Sequence, residues 1–238
     1  MSRRALTRVS LLAAALAAPA CYDPTFIDPV CGPGGACPDG WTCSGDEGAA
    51  CVLVPAPDGP PGCDPTWGNV LANGDFEGGH TIWDETPAGT PSICRSDELT
   101  LHTQAGDWAG CFGRNDNRAQ TLTQRVKLPA MTTRVRLAGY RCLVTGEAPD
   151  ADPYDVMTIQ LTDDRDDTAV VADVARWSNQ DAGSTCRWDY FQAMADVVAP
   201  SPAPRMAVVR IDSTLDNGRV TSFYLDSLAF EAFGCPAP

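Results

Sequence analysis

The chain has 238 residues and a formal net charge of −14, from 31 acidic against 17 basic side chains. So acidic a surface repels phosphate backbones, which argues against a nucleic-acid partner. The length suits one domain of good size plus a small module. After the N-terminus no apolar run is long enough to span a bilayer, so we expect membrane contact only at the start of the chain.

Residues 1–20 have the layout of an export signal. Residues 2–8 carry three arginines, residues 9–18 are apolar, and Ala20 is a small residue directly before Cys21. Cys21 resembles the lipidated cysteine of bacterial lipoproteins, and setting it aside leaves ten of the 11 cysteines, an even number for disulfides. We predict an exported protein, lipid-anchored through Cys21 at the outer membrane or cell surface. Cleavage without lipidation, giving a secreted protein, is the alternative.

Residues 21–53 are predicted to form a small disulfide-rich module. The segment has almost no aliphatic side chains, so an apolar core cannot offset its conformational entropy, and two disulfides would have to hold it. Intervals of five, five and seven residues between its cysteines do not fit a zinc site. Four cysteines allow three pairings, which the sequence leaves open. They are Cys31, Cys37, Cys43 and Cys51.

Residues 54–62 are rich in proline and glycine and are predicted to be a linker, which places the main domain at residues 63–238. In that domain short runs with strand character alternate with turn residues. Met157, Ile159 and Leu161, for example, fall on one face of a strand. The pattern predicts an all-β sandwich or barrel. The predicted strands are 98–103, 108–113, 121–128, 133–144, 155–162, 169–175, 188–197, 205–212 and 222–233.

Three patterns carry a family resemblance: the turn Asn-Gly-Asp-Phe-Glu-Gly at 73–78, the run Leu-Thr-Gln-Arg-Val-Lys-Leu-Pro at 122–129, and a late strand at 222–231. Together they resemble the CenC-like carbohydrate-binding modules, which are galactose-binding-like jelly rolls, over roughly the last two thirds of the chain. The resemblance implies a jelly roll that binds a glycan or polysaccharide. The alternatives are an adhesion or scaffold domain with a surface-protein partner, or an accessory subunit of a surface enzyme.

The resemblance also implies which cysteines pair, because the first and last strands of such jelly rolls lie side by side. A disulfide across that pair of strands would close a very long loop and stabilise the fold by roughly 5 kcal/mol in the chain-entropy model. The other two pairs would be local. The implied pairs are Cys63–Cys235, Cys94–Cys111 and Cys142–Cys186.

A structural calcium ion is a further implication of the resemblance. Oxygen ligands near both chain ends suit a cation that takes about six to eight of them. The simpler interpretation is that these residues begin a turn, cap an edge strand or face solvent. The ligands carried over by position are Asn73, Asp75, Glu77 and Asp226. A second acidic run, at 163–167, is interpreted as the tip of a hairpin.

Sugar-binding modules stack an aromatic ring on a pyranose and surround it with hydrogen-bonding side chains. Most aromatic residues of a sandwich belong to its core, and Trp177 fits a packed loop residue better than an exposed platform. The candidate platforms are Tyr140, Tyr154, Trp177 and Tyr190, with Arg141, Asp155, Gln160 and Arg210 as polar partners.

Catalytic motifs are lacking. His80 and His102 have no partner at a metal-binding spacing, and neither a nucleophile elbow nor a glycine-rich phosphate loop occurs. Oxidised cysteines do not act as nucleophiles. The sequence therefore predicts a protein that is not an enzyme.

Overall fold

The computed structural model describes residues 37, 41–44, 49–53, 63–87, 91–99, 102–113, 119–148, 152–166 and 168–236. The predicted signal, the lipid-attachment residue Cys21, Cys31 and the linker at 54–62 lie outside these residues. The described part holds thirteen β-strands and two 3-10 turns, Ser96–Glu98 and Asn179–Asp181. None of its helices is long and apolar enough to cross a membrane.

The small module contains one antiparallel hairpin, formed by β1 (Trp41–Cys43) and β2 (Cys51–Leu53). A disulfide joins Cys37 to Cys51, and Cys43 is disulfide-bonded as well. The structure thus selects a pairing that the sequence had left open. Covalent closure supplies the order that so small a piece cannot obtain from a core.

The main domain is a jelly-roll sandwich of two antiparallel sheets. In spatial order the first sheet contains β10 (Val170–Ser178), β9 (Val156–Asp163), β12 (Arg205–Thr214), β7 (Ala119–Leu128) and β4 (Asp84–Thr86). The second contains β11 (Asp189–Asp196), β8 (Ala130–Thr145), β13 (Thr221–Cys235), β6 (Trp108–Phe112) and β5 (Ile93–Arg95), and β3 (Thr66–Asn69) pairs with β13.

Alternation along the strands explains the sandwich. In β9 the side chains of Met157, Ile159 and Leu161 are fully buried, whereas Thr158 and Gln160 between them are partly exposed. The opposite sheet and the N-terminal turn contribute large apolar groups to the same core, with four phenylalanines completely buried. Burying both inner faces against each other is what stabilises such a fold. The four are Phe76, Phe112, Phe223 and Phe230.

Eight of the nine predicted strands are present. The ninth, at 98–103, is wrong for its described residues, since 98, 99, 102 and 103 lie in no strand. Its first residue ends a 3-10 turn in which the Leu99 N–H donates to the Ser96 carbonyl. Shortly after it, the N–H groups of Gln104 and Ala105 donate to the Asp226 carboxylate instead of to a neighbouring strand. Backbone N–H groups in and just after the predicted strand are thus bonded to a turn carbonyl and to a carboxylate, and not to a neighbouring strand.

Three disulfides in this domain join the pairs that the resemblance implied. One joins the two ends of the domain, one joins β5 to β6, and one joins β8 to the β10–β11 connection. Strands β3 and β13, the first and last strands of the main domain, are hydrogen-bonded to each other, as expected. The bonds are Cys63–Cys235, Cys94–Cys111 and Cys142–Cys186.

Candidate functional site at one end of the sandwich

Three connections that are distant in sequence meet at one end of the sandwich: β8–β9, β10–β11 and β12–β13. The Asn179 N–H donates to the Asp155 carbonyl at 3.1 Å, and the Asp216 N–H donates to Asp155 Oδ1 at 2.9 Å. The Arg219 N–H donates to Glu147 Oε1 at 2.6 Å. These bonds hold the connections as one unit. We call it the loop end; its described residues are 146–148, 152–155, 179–188 and 215–220.

A polar cleft of about 330 Å³ opens beside the β10–β11 connection. Its walls supply hydrogen-bond donors, acceptors and hydroxyl groups that serve as both. Two arginines are balanced by two aspartates, so the lining carries no formal net charge. The residues that give it this character are Arg141, Asp181, Ser184, Thr185, Arg187 and Asp189.

Arg141 is fixed by an aromatic ring and not by an acid. Its guanidinium lies 5.1 Å from the centroid of the Trp177 ring, a cation–π contact that holds the side chain in place. Among the residues that the structure describes, this guanidinium has no hydrogen-bond partner. Its planar set of N–H donors is therefore available to a molecule in the cleft.

The wall opposite is held by local hydrogen bonds. Ser178 and Asp181 form a capping box around the 3-10 turn, in which the Ser178 N–H donates to Asp181 Oδ2 at 2.8 Å. Further along, the Gly183 N–H donates to the Leu143 carbonyl and the Thr145 N–H donates to the Gly183 carbonyl. The cleft is thus pre-formed, which lowers the entropy that a ligand must overcome.

Three carboxylates gather on the other side of the loop end. One oxygen each from Glu147, Asp155 and Asp216 lies within 4.8 Å of the others. Asp155 is only 1% exposed, while the other two are half-buried. This is a cluster of hard oxygen ligands of the type that holds a metal ion.

Tyr154 stands next to this cluster with 52% of its surface exposed. Its hydroxyl donates to Asp152 Oδ2 at 3.0 Å. That hydrogen bond raises the pKa of the Tyr154 hydroxyl, and the negative charges of Asp152, Asp216 and Glu147 add to the effect. The ring is the exposed aromatic group of the loop end.

The aromatic residues predicted as sugar platforms lie in different parts of the sandwich. Tyr140 and Tyr190 are cross-strand partners with ring centroids 5.6 Å apart in an edge-to-face contact, both half-buried on the outer face of the second sheet. Trp177 is a core residue, 8% exposed, whose ring packs edge-on against Phe191 at 4.8 Å. A buried ring cannot stack on a sugar, so Trp177 is not a platform. It is packed, as the sequence favoured, but in strand β10 and not in a loop.

The predicted polar partners also separate. Arg141 lines the cleft, and Asp155 is a buried member of the carboxylate cluster instead of part of a sugar-binding rim. Gln160 and Arg210 are register partners on the outer face of the first sheet. There the Arg210 Nε donates to Asp212 Oδ2 at 2.6 Å. The eight predicted residues therefore do not form one site.

Glu77 and Asp226, two of the predicted calcium ligands, are far apart in sequence but accept hydrogen bonds from the same loop, at residues 104–108. Asp226 Oδ2 accepts from the N–H groups of Gln104 and Ala105, and Glu77 accepts from those of residues 107 and 108. Gly106 lies directly on the Glu77 carboxylate. Its φ is +60°, and a Cβ there would lie 2.2 Å from Glu77 Oε1. Only glycine fits that position.

The other two predicted ligands shape the turn. Asn73 Oδ1 accepts from the Gly78 N–H at 2.7 Å, and Asp75 Oδ1 accepts from the Glu77 N–H at 3.4 Å.

Burial raises the pKa of the Asp226 carboxyl to about 7, although hydrogen bonds from Ala105, Gln104 and Ser227 oppose the rise. Calcium at this set of four residues stays a prediction.

Comparison with known proteins adds fold neighbours only. No family model and no curated protein matches the chain. TmCBM61 in complex with β-1,4-galactotriose has a TM-score of 0.45 at 13% identity, covering 68% of this chain and 97% of that one. The CBM22-1 xylan-binding domain of Paenibacillus barcinonensis Xyn10C has a TM-score of 0.37 at 16% identity, and the match covers 73% of this chain and 97% of that one. A cyclase from Fischerella sp. TAU has a TM-score of 0.47 at 10% identity, and the match covers 72% of this chain and 100% of that one. Likeness of this degree does not identify a ligand.

Proposed function

We propose that the protein binds a neutral glycan in the cleft of the loop end. The observation that carries the proposal is the guanidinium of Arg141, which is fixed on the Trp177 ring and has no hydrogen-bond partner in the described part of the chain. A sugar presents several hydroxyl groups, each a donor and an acceptor. A rigid donor facing acceptor side chains is suited to them.

Charge favours a neutral sugar over a phosphate or a uronate. Arg141 and Arg187 are offset by Asp181 and Asp189 in the cleft lining, and the chain as a whole carries −14. An anionic ligand would approach against that field. The exposed ring of Tyr154 offers an apolar surface at the same end for a further sugar unit.

We further propose that the protein acts outside the cytoplasm, on a lipid anchor at Cys21, without catalysing a reaction. The four disulfides between described cysteines support an oxidising compartment. Accumulation of the exported chain in the membrane fraction, with release on Cys21→Ser, is the expected result. Release of the parent chain into the medium would instead support the secreted form.

The glycan proposal is tested on an array of neutral and acidic polysaccharides with the chain purified from an oxidising host. Arg141→Met keeps an unbranched side chain against Trp177 and removes the N–H donors, so we expect at least a tenfold loss of affinity for the retained glycan. Arg165→Met is the matched control, because Arg165 is exposed at the opposite end of the sandwich.

Unchanged affinity in Arg141→Met would refute the cleft as the binding site. If Tyr140→Ala then abolished binding, the site would move to the outer face of the second sheet, where Tyr140 and Tyr190 lie. If the parent chain retained no glycan at all, the proposal would fail in favour of a surface-protein partner.

A further inference from the structure

We propose that Glu147, Asp155 and Asp216 form a binding site for a hard divalent cation, calcium in particular, at the loop end. The site is separate from the calcium ligands expected at the N-terminal turn. It does not depend on the glycan proposal. It would add to the hydrogen bonds that join two connections, β8–β9 and β12–β13.

A buried oxygen without a partner is the first observation. Asp155 is 1% exposed; its Oδ1 accepts from the Asp216 N–H, but its Oδ2 has no hydrogen-bond partner. A carboxylate oxygen removed from water and left without a partner is strongly unfavourable. A cation bound to it would supply the missing interaction.

The second observation is that the other two carboxylates are aimed by the backbone. Glu147 Oε1 accepts from the Arg219 N–H, and Asp216 Oδ1 accepts from the Gly218 N–H, both at 2.6 Å. The Arg219 guanidinium donates to the Gly146 carbonyl instead of pairing with one of these acids. Within the described residues, no basic side chain neutralises the three negative charges.

Gly218 shows how closely the backbone approaches the proposed ligands. A Cβ at this position would lie 2.8 Å from Asp216 Oδ1 and 2.9 Å from Glu147 Oε1. A methyl group there would therefore press on two ligand atoms at once. Gly218→Ala is a steric probe of the site that leaves all three carboxylates in place.

Ligand type and spacing point to calcium. All three ligands are carboxylates, without histidine or cysteine, which selects hard cations. The ligand oxygens lie within 4.8 Å of one another, so one cation can contact all three. Calcium accepts an irregular shell of oxygen ligands, whereas magnesium demands near-ideal octahedral geometry and gives up its water reluctantly. Because Glu147 and Asp216 are half-buried, water can complete the coordination shell.

The test is calorimetric titration of the full exported chain with calcium chloride, after removal of metals with a chelator, together with thermal unfolding. Asp155→Asn keeps the oxygen that accepts from the Asp216 N–H, so the fold should survive. We expect saturable calcium binding that weakens at least tenfold in both Asp155→Asn and Gly218→Ala. Magnesium should bind more weakly. Asp166→Asn, an equal charge change in an exposed turn at the opposite end, should bind calcium like the parent.

Asp75→Asn separates this site from the one that the family resemblance implies. Two calcium equivalents in the parent, one lost in Asp155→Asn and the other in Asp75→Asn, would support the proposal. It would be overturned if the parent bound no calcium. It would be overturned equally if binding stayed unchanged in both Asp155→Asn and Gly218→Ala.

Discussion

The side chain of Gln124 and the backbone of Ala72 form a reciprocal pair of hydrogen bonds. Gln124 Nε2 donates to the Ala72 carbonyl at 2.8 Å, and the Ala72 N–H donates to Gln124 Oε1 at 2.9 Å. Gln124 is 3% exposed on the inner face of β7, between the core residues Leu122 and Val126. The amide thus pairs with the backbone of Ala72 as a strand residue would and attaches the N-terminal turn to the first sheet. This explains a glutamine between two apolar core residues.

Replacing Gln124 should therefore destabilise the domain without altering its surface. In Gln124→Leu both backbone groups of Ala72 lose their partner, and we expect the free energy of unfolding to fall by about 2 kcal/mol. Denaturant titration measures the change. Gln160→Leu is the matched control, since Gln160 lies on the outer face of β9 and a substitution there should change stability by less than about 0.5 kcal/mol. Equal effects of the two variants would contradict the role given to Gln124.

Alternation of side chains made the sandwich predictable, because a strand with one buried face must repeat every second residue. Strands β3, β4 and β5 were missed because three or four residues are too few for that pattern, and β4, Asp-Glu-Thr, is polar throughout. Their place is set by neighbours, as in the pairing of β4 with β7. The sequence of three or four residues does not indicate which distant strand they will pair with.

The candidate site was harder to predict for the same reason. Glu147, Asp155 and Asp216 come from two connections and meet only after the sheets have formed. Arg141 was singled out as a polar partner, but the cleft that it lines is completed by residues 181–189 from another connection. The sequence does show these acids next to the ends of predicted strands. That pattern alone does not distinguish a metal site from a solvated turn.

Loop length should rank the disulfides. Cys63–Cys235 has a sequence separation of 172 residues and Cys94–Cys111 one of 17. In the chain-entropy model, removing the first lowers the free energy of unfolding by about 5 kcal/mol and removing the second by about 3 kcal/mol. Paired Cys→Ala variants, compared by denaturant titration, check the order. A larger loss for the short loop would show that native-state contacts, and not chain entropy, dominate.

Trp177 should behave as a core residue. Its ring packs against Phe191 and beneath the Arg141 guanidinium, so Trp177→Ala should lower the free energy of unfolding by about 3–5 kcal/mol through lost contacts and a cavity. Tyr154→Ala, at an exposed ring, should change it by less than about 0.5 kcal/mol. Thermal unfolding distinguishes the two. A stable Trp177→Ala chain would reopen its assignment as a surface platform.

Asp226 should make stability fall as pH rises. Burial raises the pKa of its carboxyl in the folded chain to about 7, from an ordinary value of 3.8. Between these values the folded chain retains a proton that the unfolded chain has released. The stabilisation is therefore complete below about pH 4 and is lost as the pH approaches 7.

Asp226→Asn isolates this contribution. The amide is neutral at every pH and its oxygen can still accept from the Gln104 and Ala105 N–H groups, so the difference in unfolding free energy between variant and parent should grow from pH 4 to pH 7 in chelator. Denaturant titrations at unit steps of pH measure it. A constant difference would show that Asp226 is already ionised in the folded chain. If calcium added to the parent removed the pH dependence, that result would support the ion expected at the N-terminal turn, because a bound cation favours the charged carboxylate.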